Sequence, residues 1–347
     1  MKILIYGDVH WSQYSSIIRQ RGTRYSARLE NCIQSLNWAE GIAEKYNCEM
    51  IVCVGDFFDS ATLNAEELTA LTEVHWSSTP HYFIVGNHEI ASANLEINST
   101  TALSQIGKLI TAPYLDLSTG NVLIFLPYIL ESERKSFLEH LESFGHFENW
   151  STAKENAIVF SHNDMKGIRY GQFESKIGFN ISELEDHCRL YINGHLHNQQ
   201  QVSEKILNLG NLTGQNFSED ASKHSHCVGI LDTDTFKIKL LNNPYAFCFY
   251  KWDIDSIEQL TEYLENIFNN AVLSIKCSID LTEQVRELLK NDTRIFDYRL
   301  ITKHQLKDAV KPEYALTKID HVEAFKEYIT KIFTSSELLS EELNHLI

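Results

Sequence analysis

Six short apolar runs, at residues 3–6, 50–54, 82–85, 122–126, 157–161 and 190–193, constrain the fold of this chain more than any other feature. Runs that are apolar at consecutive positions, as in Met50-Ile51-Val52-Cys53-Val54, read as strands buried on both faces. The segments between them are long enough for crossover helices, so the chain reads as α/β. Polar clusters follow the runs: Gly7-Asp8-Val9-His10, Gly55-Asp56-Phe57-Phe58-Asp59, Gly86-Asn87-His88-Glu89, Ser161-His162-Asn163 and Gly194-His195-Leu196-His197. In open α/β sheets ligands bind beyond the carboxyl ends of the strands, where loops converge. The pattern therefore predicts that Asp, His and Asn side chains from five loops meet at one place.

Composition narrows what that place does. At 347 residues, 43% hydrophobic and 22% charged, the chain has room for one large α/β domain and a smaller module. Its seven cysteines never form a C-x-x-C pair, which argues against both a disulfide framework and a zinc ribbon and makes a cytoplasmic location the expectation. No basic segment leading into a long apolar stretch opens the sequence, and the run at 122–130 is short and broken by Pro127, so neither export nor a membrane span is expected. A formal charge of -17 disfavours broad non-specific binding to nucleic acid, so any DNA chemistry must rest on local basic patches or metal ions.

A donor set of carboxylate, imidazole and amide oxygen without thiolate suits divalent Mn or Fe, with Zn also admissible. Seven such side chains exceed what one ion needs. Two ions sharing a bridging carboxylate clamp the attacking and leaving oxygens of a phosphoryl displacement. Any one of these clusters alone reads more simply as a turn or a cap. Five in order do not.

The ordered series DxH, GDxxD, GNH[DE], H and GHxH resembles the calcineurin-like metallophosphoesterase superfamily over residues 1–245. The resemblance implies a β-sandwich flanked by helices. It implies that Asp8, His10, Asp56 and His197 hold one metal, with Asp56 bridging, and that Asn87, His162 and His195 complete the second. It also implies that His88 is the general acid and that Asp59 accepts a hydrogen bond from His88, fixing its tautomer and pKa. The other ten histidines lie outside the motifs and read as surface or structural residues.

Fold and metal leave the substrate open. Related protein phosphatases carry an Arg after the last Asp of the second motif, and this chain has Ser60 there. Glu89 is the spelling common in phosphatases, yet no Arg follows it through residue 96, and a metal pair without an arginine clamp suits a diester better than a dianionic monoester. Phe125-Leu126-Pro127-Tyr128 and the segments 207–213 and 217–219 are similar to stretches of SbcD-like nuclease subunits that process DNA double-strand breaks. Residues 246–303 read as strand, helix, strand, helix, strand, a small α/β module that resembles the capping domain of those nucleases. Residues 304–319 read as a linker. Residues 320–347 read as two amphipathic helices, which either pack back on their own domain or, by resemblance, form a hairpin gripping an SMC-like ATPase of the SbcC type. Between Asp8 and Glu30 there is no acid, and Arg19, Arg21, Arg24 and Arg28 are expected to contact DNA phosphates, against the simpler reading of a solvated helix face.

The expectation is a nuclease subunit with two divalent ions, Mn²⁺ foremost, acting on double-stranded DNA ends. By resemblance it is a homodimer through helices near residues 68–74 and 95–106, lying in the cytoplasm, or in a host's cytoplasm if viral, with no membrane role. The alternative is a phosphatase or small-molecule phosphodiesterase of the same superfamily.

Overall fold

The computed structural model describes residues 1–303 apart from 16–17, 19–20, 93–94, 119, 146–152, 171–172 and 220. The expected linker and helical hairpin, and Arg19, lie outside the described residues.

Every apolar run becomes a strand. In chain order the six are β1 (Lys2–Tyr6), β2 (Met50–Cys53), β3 (His81–Ile84), β6 (Val122–Leu126), β7 (Ala157–Ser161) and the strand Leu190–Asn193, with two further strands, β4 (Gly107–Ile110) and β5 (Tyr114–Asp116), between β3 and β6. They divide between two six-stranded sheets, a division the sequence pattern does not show. The first runs Lys237–Asn242, Cys227–Asp232, β1, β2, β3, β4; the second runs Gln200–Gln201, Ile206–Asn208, Leu190–Asn193, β7, β6, β5. β1 to β4 pair in parallel, as do β6, β7, Leu190–Asn193 and Ile206–Asn208, with Ile5 opposite Val52 in one sheet and Ile192 opposite Phe160 in the other, while β1 runs antiparallel to Cys227–Asp232.

Alternation along each strand explains why both faces are apolar. Ile3 and Ile5 of β1 and Val52 of β2 face the other sheet, meeting Phe125, Ile158, Phe160 and Ile192. Leu4, Tyr6, Ile51 and Cys53 face outward against Leu29, Cys32 and Leu36 of α1 (Ala27–Tyr46). On the far side Ile124, Val159 and Tyr191 pack on Phe137 and Leu141 of α2 (Phe137–Glu142) and on Leu184 of the helix Ile181–His187. The result is a sandwich of two sheets with helices outside. Each fully buried Ile, Leu or Phe contributes roughly 1.5–3 kcal/mol, so the centre of the sheets is the stiffest part of the molecule.

A third, three-stranded parallel sheet of Cys248–Asp253, Ala271–Cys277 and Ile295–Thr302 carries the helices Ile257–Leu264 and Thr282–Lys290. It has a core of its own, including Tyr250, Leu260, Leu273, Ile275 and Val285.

One expected helix is corrected. Residues 95–106 contain only the five-residue 3-10 turn Ser99–Leu103, because Thr101 turns its hydroxyl back on the Asn98 carbonyl (3.0 Å) in a polar stretch that competes with helix formation. The neighbouring expectation near 68–74 falls partly on the short helix Ala65–Leu71. All seven cysteines are buried free thiols, and among the described residues no helix is long and apolar enough to cross a membrane.

Candidate metal centre

The loops that follow β1, β2 and β3 leave the first sheet beside the loops that follow β7 and Leu190–Asn193 in the second. They are stitched edge to edge: the Asp8 amide donates to Gly55 O (3.0 Å) and the His10 amide to Asp56 O (3.0 Å). The backbone is bent sharply here, for Asp8, His10, Asp56 and His195 all have positive φ (49°, 48°, 48° and 76°). A non-glycine residue held this way costs about 1–3 kcal/mol and persists only where its surroundings over-determine it.

Two glycines show how tight those surroundings are. A Cβ on Gly55 would lie 2.2 Å from Nδ1 of His162, and one on Gly86 would lie 2.2 Å from Oδ1 of Asp56. Gly55 and Gly86 thus each leave room for a metal-site residue from a different loop.

Each ligand histidine is anchored through one ring nitrogen. His162 Nδ1 donates to Val54 O (2.8 Å), His10 Nδ1 to Asp59 Oδ1 (3.0 Å), His197 Nδ1 to Glu219 Oε1 (2.9 Å) and His195 Nε2 to Asp164 Oδ1 (3.1 Å). Because every one of these partners is an acceptor, the neutral ring keeps its proton on that nitrogen and leaves the opposite one to ligate. The donor atoms gather accordingly. Asp8, His10 and His197 form one group and Asp56, His162 and His195 another, each with its donor atoms within 4.8 Å. Asn87 Oδ1 joins the second, 2.9 Å from His195 and 3.2 Å from His162.

These residues fit a pair of divalent cations. The buried Nε2 of His10 has no hydrogen-bond partner, an omission that costs about 1–3 kcal/mol unless something else satisfies the lone pair. The cluster is all nitrogen and oxygen, with no thiolate. Asp56 Oδ2 lies 3.1 Å from His162 Nε2 and 3.9 Å from His10 Nε2, so it faces both groups and could be shared by two ions. Proton affinities carry the same imprint. Burial alone would raise the Asp56 carboxyl and lower His162, but their mutual attraction at 3.1 Å outweighs it, holding Asp56 well below the carboxylate range and pushing His162 up to about 10. Glu89 is fully buried; burial and then the Asp56 charge push it up to about 8, although it accepts from the Phe58 (3.0 Å) and Gly86 (2.6 Å) amides.

Two expectations are corrected. Asp59 does accept from His88, but through its backbone carbonyl and not through its carboxylate. The carboxylate accepts from His10 Nδ1 and from Gln215 Nε2 (2.7 Å) and sits 3.7 Å from His88 Nδ1, which donates instead to the Asp59 carbonyl (3.1 Å). Its bonds to a ligand and to Gln215 fix where the carboxylate can point. The ring of His88 is half exposed and meets His10 edge-on at 4.7 Å.

Arg28 cannot contact a phosphate. It is 3% exposed, inside the first turn of α1, and donates to Gly214 O (2.7 Å) and Val9 O (2.8 Å). A guanidinium is well suited to bridge two orphan carbonyls, and that use consumes it. Arg24 is exposed but paired with Glu73 (2.6 Å), and Arg21 is exposed with Glu66 at 3.9 Å.

Asp164, Gln215 and Glu219 were not among the residues expected at the site. Asp164 had one available signal, its place two residues past His162. Outside the motifs His81 is structural, buried against Glu40 at 2.9 Å.

Residues 1–199 match the family described as calcineurin-like phosphoesterase. No curated protein matches the chain by sequence. Among solved structures it is similar to TT1561 of Thermus thermophilus, at 8% identity and a TM-score of 0.41 over 70% of this chain and 98% of that one. It is also similar to a dimetal phosphatase from Danio rerio, at 14% identity and a TM-score of 0.41 over 70% and 96%. Neither likeness bears on the substrate.

Proposed function

The chain belongs to the calcineurin-like phosphoesterase family and is a metallophosphoesterase; within that class we propose that it is a DNA nuclease subunit that hydrolyses phosphodiesters. The observation that carries this reading is the commitment of the nearby arginines. Arg28 serves Val9 O and Gly214 O, Arg134 donates to Ile129 O (2.8 Å) beside Asp164, and Ser60 follows Asp59. A dianionic monoester asks for a guanidinium fork, and a singly charged diester does not.

When bound, two divalent ions supply Lewis-acid charge to the attacking and leaving oxygens. The rest falls to the protein. Asp56 lies between the two ligand groups and orients both. His88 donates through Nδ1 to a backbone carbonyl, which leaves Nε2 to carry the second proton of the imidazolium, and the half-exposed ring presents that proton to the leaving oxygen. In this reading the ions are Mn²⁺, the substrate is the end of a duplex, and residues 320–347 grip an SMC-like ATPase of the SbcC type. The chain works as a homodimer in the cytoplasm, of a cell or of a viral host.

One observation favours a second reading, a phosphatase or small-molecule phosphodiesterase: of the four arginines expected on DNA, Arg28 is buried and Arg24 is paired, on a chain of formal charge -17. An end-labelled linear duplex separates the two. Shortening in Mn²⁺ but not in EDTA, lost in His88→Ser, supports the nuclease. An intact duplex in the presence of an SbcC-type ATPase, with a chromogenic diester or monoester still hydrolysed, replaces it with the second reading.

A further inference from the structure

His197 and Asp59 are reached from the same side by one loop. Glu219, 4% exposed, accepts from His197 Nδ1 through Oε1 (2.9 Å) and from the Gln215 amide through Oε2 (2.8 Å). Gln215 in turn donates to the Asp59 carboxylate (2.7 Å), which also accepts from His10 Nδ1 (3.0 Å). Both histidines of the Asp8, His10, His197 group are therefore braced through this loop. Among the described residues, no bond from it reaches His162 or His195, which lean on Val54 O and Asp164.

The same loop is fastened to the third sheet. The Gly214 amide donates to Phe247 O (3.0 Å) and the Ala221 amide to Phe249 O (3.2 Å), and Ala221 is buried in the core of the small α/β module. The Phe217 ring meets Phe249 edge-on at 5.1 Å, and the Arg299 guanidinium lies 4.4 Å above it.

We propose that Glu219 and Gln215 are positioning residues for the first ion alone, and that the small α/β module holds them in place through Phe217. The proposal rests on the two-ion reading of the cluster. Its chemistry is specific. A carboxylate at 219 keeps the proton on Nδ1 of His197 and the lone pair on Nε2. In Glu219→Gln the one amide oxygen cannot serve both the Gln215 amide and His197. Where it serves Gln215, the amide NH₂ faces Nδ1 and drives the proton onto Nε2, where the ion must bind.

The test is a calorimetric Mn²⁺ titration of the full chain, with metal-free melting followed by circular dichroism. Wild type should take up two ions, and fewer than two would overturn the metal reading itself. In Glu219→Gln one ion should weaken by about 10–100-fold while the other keeps its wild-type affinity, with Glu219→Asp recovering part of the loss. Phe217→Ala, which touches no ligand, should weaken the same ion by a smaller factor. Two ions at wild-type affinity in both variants, or an equal loss at both ions, would overturn the proposal. Should Glu219→Gln fail to fold, Gln215→Ala carries the same one-ion prediction and the same refutation.

Discussion

The two ligand groups are built from the same residue types and braced by different means. His162 leans on the carbonyl of Val54, a fully buried residue at the end of β2, so moving its ring means moving a central strand. His10 and His197 lean on the side chains of Asp59 and Glu219, which leave their loops by bonds that rotate. Backbone bracing fixes a ligand once and rigidly, whereas carboxylate bracing tunes basicity and can be released. The second group thus has one histidine fixed by the backbone, beside His195 on the Asp164 carboxylate, whereas both histidines of the first are held by side chains.

The comparison can be broken outright by removing what the halves share. Asp56→Asn should weaken both ions and lower turnover by about 10³-fold or more, the scale on which losing a preorganised charge stabiliser acts; a metal titration that shows only one ion affected would mean that Asp56 does not bridge. His88→Gln should leave both ions in place and cost about 10²–10⁴-fold in turnover, so unchanged turnover with full metal would end its role as the acid. Asp164→Asn tests the one carboxylate brace of the second group. Through His195 it should weaken only the second ion, by about 10–100-fold, and an effect on the first would erase the distinction drawn here.

The smallest effect concerns protons. The Glu89 carboxyl is pushed up to about 8 in the folded chain, above its unfolded value, so folding takes up a proton between the two. Its contribution to stability is complete below about pH 4.5 and is lost as the pH rises through about 8. Denaturation in EDTA from pH 5 to 8.5 should show a shallower pH slope for Glu89→Gln than for wild type, whatever the absolute cost of the change. An identical slope would mean that Glu89 is ionised throughout.

The strands and the ligand loops were legible in the sequence because burial on both faces writes itself as consecutive apolar residues, and the ligands follow directly. What was not legible is where long side chains reach. The buried role of Arg28 depends on Gly214, far along the chain, offering a carbonyl to it. Asp59 sits at the motif position expected of a His88 partner, yet the carboxylate turns to His10 because Gln215 holds it there. Glu219 belongs to a stretch that the sequence singles out by resemblance, but its bond to His197 becomes visible only in the folded chain.

The glycines carry a consequence for how such a site can change over generations. The space beside Gly86 is filled by Asp56, and the space beside Gly55 by His162, so one loop's smallest residue is the clearance for another loop's reactive one. No loop can drift alone: a bulkier residue at either glycine is punished by a ligand from another motif. Loops exchanged one at a time between distant relatives should therefore fail far more often than loops exchanged as a set, and the centre is inherited as one unit.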